Sequence, residues 1–109
     1  MAYDEAVAAR MRGLMEGLRP YTEKRLFGGI AFFVNGNMAC GVIGDRIMVR
    51  VGPEDYEEAL ARPHAGPFDM TGRPMRGWVS VEPAGHASDE GLAGWVEQGV
   101  AFAATLPAK

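Results

Sequence analysis

Between Arg25 and Val51 the chain reads RLFGGIAFFVNGNMACGVIGDRIMVRV, three apolar runs separated by two-residue breaks. Asn35-Gly36 is a strong hairpin signal, because a type I′ turn needs positive φ at both central positions. Gly44-Asp45 reads as a second tight turn, with glycine in the positive-φ first position of type II′. The pattern predicts a three-stranded antiparallel meander. Its first strand starts near Lys24, bulges or bends sharply at Gly28-Gly29, and runs on from Ile30 to Val34. Phe32 and Val34 fall on one face and Ala31 and Phe33 on the other, so both faces of this strand are apolar. Asn37 to Ile43 is the second strand. Arg46 to Val51 is the third, with Ile47, Val49 and Val51 toward a core and Arg46, Met48 and Arg50 away from it.

Helical periodicity brackets this meander. Asp4 can cap a first helix whose Val7, Met11, Leu14 and Leu18 share a face, ending near Leu18 because Pro20 follows. The four-residue spacing of Gly13 and Gly17 fits either a close approach to a neighbouring surface or a fraying end. A short helix opens at Gly52-Pro53-Glu54-Asp55, buries Tyr56, Ala59 and Leu60, and closes at Pro63. Phe68 to Met70 reads as a short strand, turning at Thr71-Gly72 into a longer one from Met75 to Val81. Pro83 to Ala87 reads as a loop. Ser88 caps a last helix, along which Leu92, Trp95, Val96, Gly99, Phe102, Ala103 and Leu106 recur at helical spacing. The order α-βββ-α-ββ-α predicts an α+β domain, an antiparallel sheet with helices packed on it, over residues 1–109.

Composition narrows the function classes. Hydrophobic residues make up 48% and charged ones 23%, a globular balance with no disordered tract or repeat. No apolar run reaches the roughly 18 residues of a membrane span, and the N-terminus lacks the basic and apolar regions of a secretory signal. With a single cysteine, Cys40, no internal disulfide can form, and a cytoplasmic location is expected. A net charge of −3 argues against direct nucleic-acid binding by bulk phosphate neutralisation.

The candidate chemistry is sparse. Lys24 to Gly29 has the look of a phosphate loop but lacks the GxxxxGK[ST] spacing between strand and helix. Cys40 could act as a nucleophile only with a base such as His64 or His86, and neither stands in a catalytic signature; a mid-strand cysteine is ordinarily a small buried hydrophobe. Two histidines and one cysteine show no metal-ligand spacing, and no cofactor is called for. Glu54, Asp55, Glu57 and Glu58 read as a solvated, dipole-favoured helix start. The basic residues lie on or beside strands. If Arg25 and Arg76 joined Arg46 and Arg50, the sheet would carry a positive patch able to take nucleic acid or an acidic partner; the plainer reading is a set of solvated charges blunting sheet edges. Phe32, Phe33, Met38, Met48, Met75 and Trp78 are many for one small sheet, which fits self-association or a partner-binding surface as well as packing within the domain.

Two motifs point further. Arg25-Leu26-Phe27-Gly28-Gly29, followed by an aromatic strand, the Asn35-Gly36 turn and a strand ending in Arg50-Val51, resembles the N-terminal domain of the TfoX/Sxy competence-regulator family. Gly72-Arg73-Pro74-Met75-Arg76-Gly77-Trp78-Val79 is similar to that family's second motif. The resemblance covers essentially the whole chain and implies a secretion-chaperone-like α+β fold with no catalytic residues. Longer members add a C-terminal helical domain and regulate DNA-uptake genes; a chain ending at Lys109 resembles the stand-alone members. The expected role is a non-enzymatic interaction module, monomeric or homodimeric, regulating through a protein partner. The expected surface comprises Arg25, Phe27, Gly28, Gly29, Arg46, Met48, Arg50, Arg73, Met75, Arg76 and Trp78. Direct nucleic-acid binding through the arginines is the second reading, and a small enzyme using Cys40 the last.

Overall fold

In the computed structural model, which describes residues 3–26, 28–69 and 74–109, six strands form one antiparallel sheet. Its order is β1(Thr22–Leu26), β2(Gly29–Val34), β3(Asn37–Ile43), β4(Arg46–Arg50), β6(Pro74–Val81), β5(Ala65–Asp69). Four helices accompany it: α1(Glu5–Glu16), α2(Tyr56–Leu60), α3(Pro83–His86) and α4(Asp89–Thr105). The fold is the α+β class that the apolar pattern predicts.

The two turns that organise the meander take the expected backbone. Asn35 and Gly36 have φ of 53° and 82°, as type I′ requires, and Gly44 has φ of 59°. The strand expected from Lys24 to Val34 is instead two strands. The chain reverses at Gly28, whose φ is 77°, and β1 returns along β2 as an antiparallel hairpin. A left-handed glycine serves a bend or a full reversal equally well, so the sequence cue was right about place and wrong about extent. Gly29 then enters β2 where a Cβ would collide with the Val42 carbonyl of β3.

Three further elements differ from the sequence reading. β5 begins at Ala65, three residues ahead of the Phe68 start that the pattern predicts. The stretch from Pro83 forms a single helical turn, α3, since proline at the first position presets φ. The first helix stops at Glu16, so it buries Val7, Ala8, Met11 and Met15 while Leu18 lies outside it and exposed. Asp4 does cap this helix, accepting from the Ala6 and Val7 amides at 2.9 and 3.2 Å. Gly13 makes no close approach; a Cβ there would meet nothing within 4 Å.

The main core lies on one side of the sheet. Phe32, Val34, Cys40, Val42, Ile47, Val49, Val79 and Val81 point from the strands into residues of α1, α2 and α4. α4 supplies Leu92, Trp95, Val96, Val100 and Ala103, the richest helical contribution, as its periodicity foretold. Gly99 lets α4 settle against β3, since a Cβ there would stand 2.5 Å from the Ala39 carbonyl oxygen.

Candidate functional site

The opposite face of the sheet carries a second apolar cluster of Ala31, Met48, Phe68 and Trp78, with Leu26, Phe33, Met38 and Ile43 packed against it. All eight come from strands. Among the described residues, no helical residue joins them, so this is the side that the four helices leave open.

Cross-strand pairing explains how the face is assembled, because directly opposed residues share a face. One row crosses the whole sheet: Lys24, Ala31, Gly41, Met48, Ser80 and Gly66. Three of these six are alanine or glycine. At Gly41 a Cβ would collide with the Met48 methyl, so Met48 lies down across the backbone of β3 and is only 1% exposed without any helix above it. Neighbouring rows place Ile43 opposite Arg46, and Arg50 opposite Trp78. Phe68 reaches in from β5 to the Trp78 ring, with centroids 6.0 Å apart and planes tilted by 42°.

A hollow of about 300 Å³ opens in this face. Ile43, Met48, Pro67 and Phe68 give it apolar walls, and Arg46, Asp69 and Ser80 line it with polar groups. The volume stands at the small end for a ligand pocket and suits one inserted side chain.

The cations of the sequence reading separate. Arg46 stands exposed at the hollow, and Lys24 lies on the same face with its ammonium 5.3 Å from the Phe33 ring centroid. The Arg50 guanidinium is 5.6 Å from the ring centroids of both Trp78 and Phe102 and donates to the Met38 carbonyl at 3.5 Å, so it ties the sheet to α4. Arg25 does not join them. It opposes Ile30, a residue of the helix-side core, and so belongs to the other face. Arg76 also departs: past Gly77, whose φ is 93°, the alternation of β6 breaks, and Arg76 lies 5.9 Å over the Tyr56 ring of α2. Both Val51 and Gly52 donate to the Gly77 carbonyl, the mark of a bulge at this point. The four-arginine patch therefore does not assemble. Met75 is exposed, Gly28 and Gly29 build the β1–β2 turn and its entry, and Phe27 and Arg73, like the Thr71-Gly72 turn, lie outside the described residues.

Sequence reasoning overlooked the hollow. The strand pattern places Ile43, Phe68 and Ser80 on three strands without bringing them together, although Ile43 alternates in step with Gly41 and Ser80 stands opposite Met48. That step was visible in the sequence; the pairing of β4 with β6 was not.

The Cys40 reading meets a buried thiol. Cys40 is fully buried in the helix-side core, and desolvation pushes its thiol up to about 12. Neither histidine serves it. The His86 Nε2 donates to the Asp45 carbonyl at 2.9 Å, and the His64 Nδ1 lies 3.8 Å from Glu82. Among the described residues, no cluster of three or more His, Cys, Asp or Glu side chains could hold a metal ion.

The model of the TfoX N-terminal domain family matches residues 13–103. The chain belongs to the TfoX N-terminal domain family. Comparison with curated proteins finds no match, and comparison with solved structures finds none. The matched span takes in all six strands and both faces of the sheet, so the open face is part of the family's domain and not an appendage to it. Among the described residues, no helix is long and apolar enough to cross a membrane.

Proposed function

We propose that this TfoX N-terminal domain is a non-enzymatic, cytoplasmic regulatory module that recognises a protein partner through the open face of its sheet. One observation carries the reading: an eight-residue apolar cluster built wholly from strands, with a hollow beside it and no described helix over it. Leu26, Phe33, Met38 and Ile43 are only half-buried and so present apolar surface beside the exposed Arg46, the make-up of an interaction site. Membership of the family supports a competence-regulator-like role, and the family is not a known enzyme family. The inert setting of Cys40 supports a non-enzymatic reading. Direct nucleic-acid binding draws less support, since Arg25 and Arg76 stand away from the face that Arg46 occupies.

A photo-crosslinking residue tests this. Benzoylphenylalanine placed at Ser80, beside the hollow, is expected to capture a protein in the native cytoplasm, whereas the same residue at Glu57 on α2 is not. No adduct from Ser80, or the same adducts from both positions, would refute the reading.

A further inference from the structure

We propose that the open face takes an extended acidic segment of a partner protein with a large apolar side chain at its middle. This rests on the interaction reading above and names the chemistry of its partner.

Charge decides the class. Lys24 and Arg46 lie on strand positions that face this side, whereas Arg50 is engaged by the Trp78 and Phe102 rings, and Asp69 is the one carboxylate among the residues lining the hollow. Neither Lys24 nor Arg46 has an ion-pair partner among the described residues. A chain of net charge −3 has thus set these two cations beside a half-buried apolar rim of Leu26, Phe33, Met38 and Ile43 that no described helix covers. Complementary potential steers encounter and rejects wrong partners, and basic segments would be rejected here. A second copy presenting the same face would bring Lys24 and Arg46 of each copy together, so face-to-face pairing is disfavoured.

The floor argues for protein over nucleic acid. Trp78 is 9% exposed with the Phe68 ring tilted against it, and Met48 is nearly sealed, so neither offers a free ring or plane to a base. The hollow between β4 and β5 instead suits a leucine or phenylalanine side chain.

Distances set the length. Lys24 on β1 and Arg46 on β4 stand three strand spacings apart and two residues out of row, about 16 Å at about 4.8 Å per strand and about 3.4 Å per residue. An extended chain covers that in about four to five residues. The segment therefore carries one acidic residue to meet Lys24, an apolar residue for the hollow, and a second acidic residue close to it for Arg46.

The test is a fluorescence-polarisation titration of the full chain with a labelled twelve-residue peptide of glutamates interspersed with leucine and phenylalanine. Controls carry lysine for glutamate, or serine for the apolar residues; a single-stranded oligonucleotide forms a fourth arm. The acidic-apolar peptide is expected to bind at least tenfold more tightly than each control, and at least threefold more weakly in 500 mM than in 50 mM salt. Arg46→Glu and Lys24→Glu, both at exposed positions that leave the core intact, are each expected to weaken it at least fivefold. Equal binding of the lysine peptide, tighter binding of the oligonucleotide, or no binding by any peptide would overturn the proposal. A dimer in sedimentation that Arg46→Glu dissociates would also overturn it, by placing a second copy on the face. The Ser80 crosslink separates the two levels: an adduct whose captured segment lacks acidic residues refutes this inference and leaves the interaction reading standing, whereas absence of an adduct removes both.

Discussion

Two glycines of α4 receive opposite forecasts for one and the same substitution. Gly94 lies on the solvent side of the helix, where a Cβ would meet nothing within 4 Å. Alanine there gains only helix propensity, about 1 kcal/mol. Gly99 is buried, and its Cβ would stand 2.5 Å from the Ala39 carbonyl oxygen and 3.2 Å from Val49 Cγ1. A carbonyl in a central strand cannot withdraw without lifting the helix from the sheet, and overpacking of this kind costs about 1–3 kcal/mol. The propensity gain is common to both variants, so their difference isolates the steric term: Gly99→Ala should be less stable than Gly94→Ala by about 1–3 kcal/mol. Urea unfolding followed by circular dichroism measures it. The midpoints should separate while the slopes stay equal, and the melting temperatures should differ by at least about 4 °C. A Gly99→Ala protein as stable as Gly94→Ala would mean that α4 does not rest on β3 and that the layering described above is wrong.

Other expectations follow from single contacts. Cys40, with its thiol pushed up to about 12 by burial, should resist iodoacetamide at pH 8 in the native protein and react at once in urea, which mass spectrometry reads directly. Glu23 accepts from Arg12 at 2.8 Å, and that hydrogen bond holds its carboxyl below the usual range despite partial burial. A depressed carboxyl contributes stability above its unfolded value of about 4.3 and loses it as pH falls through the folded one. Both side chains are more than a third exposed, so the pair is worth only about 0.2–0.5 kcal/mol. The stability difference between the wild type and Arg12→Ala should therefore be small at pH 7 and shrink further as the solution is acidified below the ordinary glutamate range.

What the sequence disclosed about this fold depended on the range of the interaction responsible. Asn35-Gly36 and Gly44-Asp45 are local chemistry, and both turns were legible because positive φ needs a residue that can adopt it. The alternation of Ile47, Val49 and Val51 against Arg46, Met48 and Arg50 sorted β4 onto its two faces correctly, because the period of a strand needs no tertiary information. Gly28 marked a change of direction, yet nothing near it distinguishes a kink from a reversal; the return of β1 along β2 depends on pairing. The bulge at Gly77 was invisible for the same reason, and it moved Arg76 off the face on which simple alternation would have kept it. The site was legible in its apolar excess and in Arg46, Met48 and Trp78. Its hollow was not, since Phe68, Met48 and Ser80 meet only when β6 inserts between β4 and β5. Gly41 carries no sequence signal beyond its place in a strand, yet its role is to let Met48 lie flat.

The methionines offer the most direct test of the central claim, because they divide between the two faces. Met11 and Met15 are buried against the helices, while Met38 and Met48 belong to the open face. With carbon-13-labelled methionine methyl groups, addition of the acidic-apolar peptide should shift the Met38 and Met48 resonances and leave those of Met11 and Met15 in place. Shifts confined to Met11 and Met15, or none at saturating peptide, would contradict recognition through the open face.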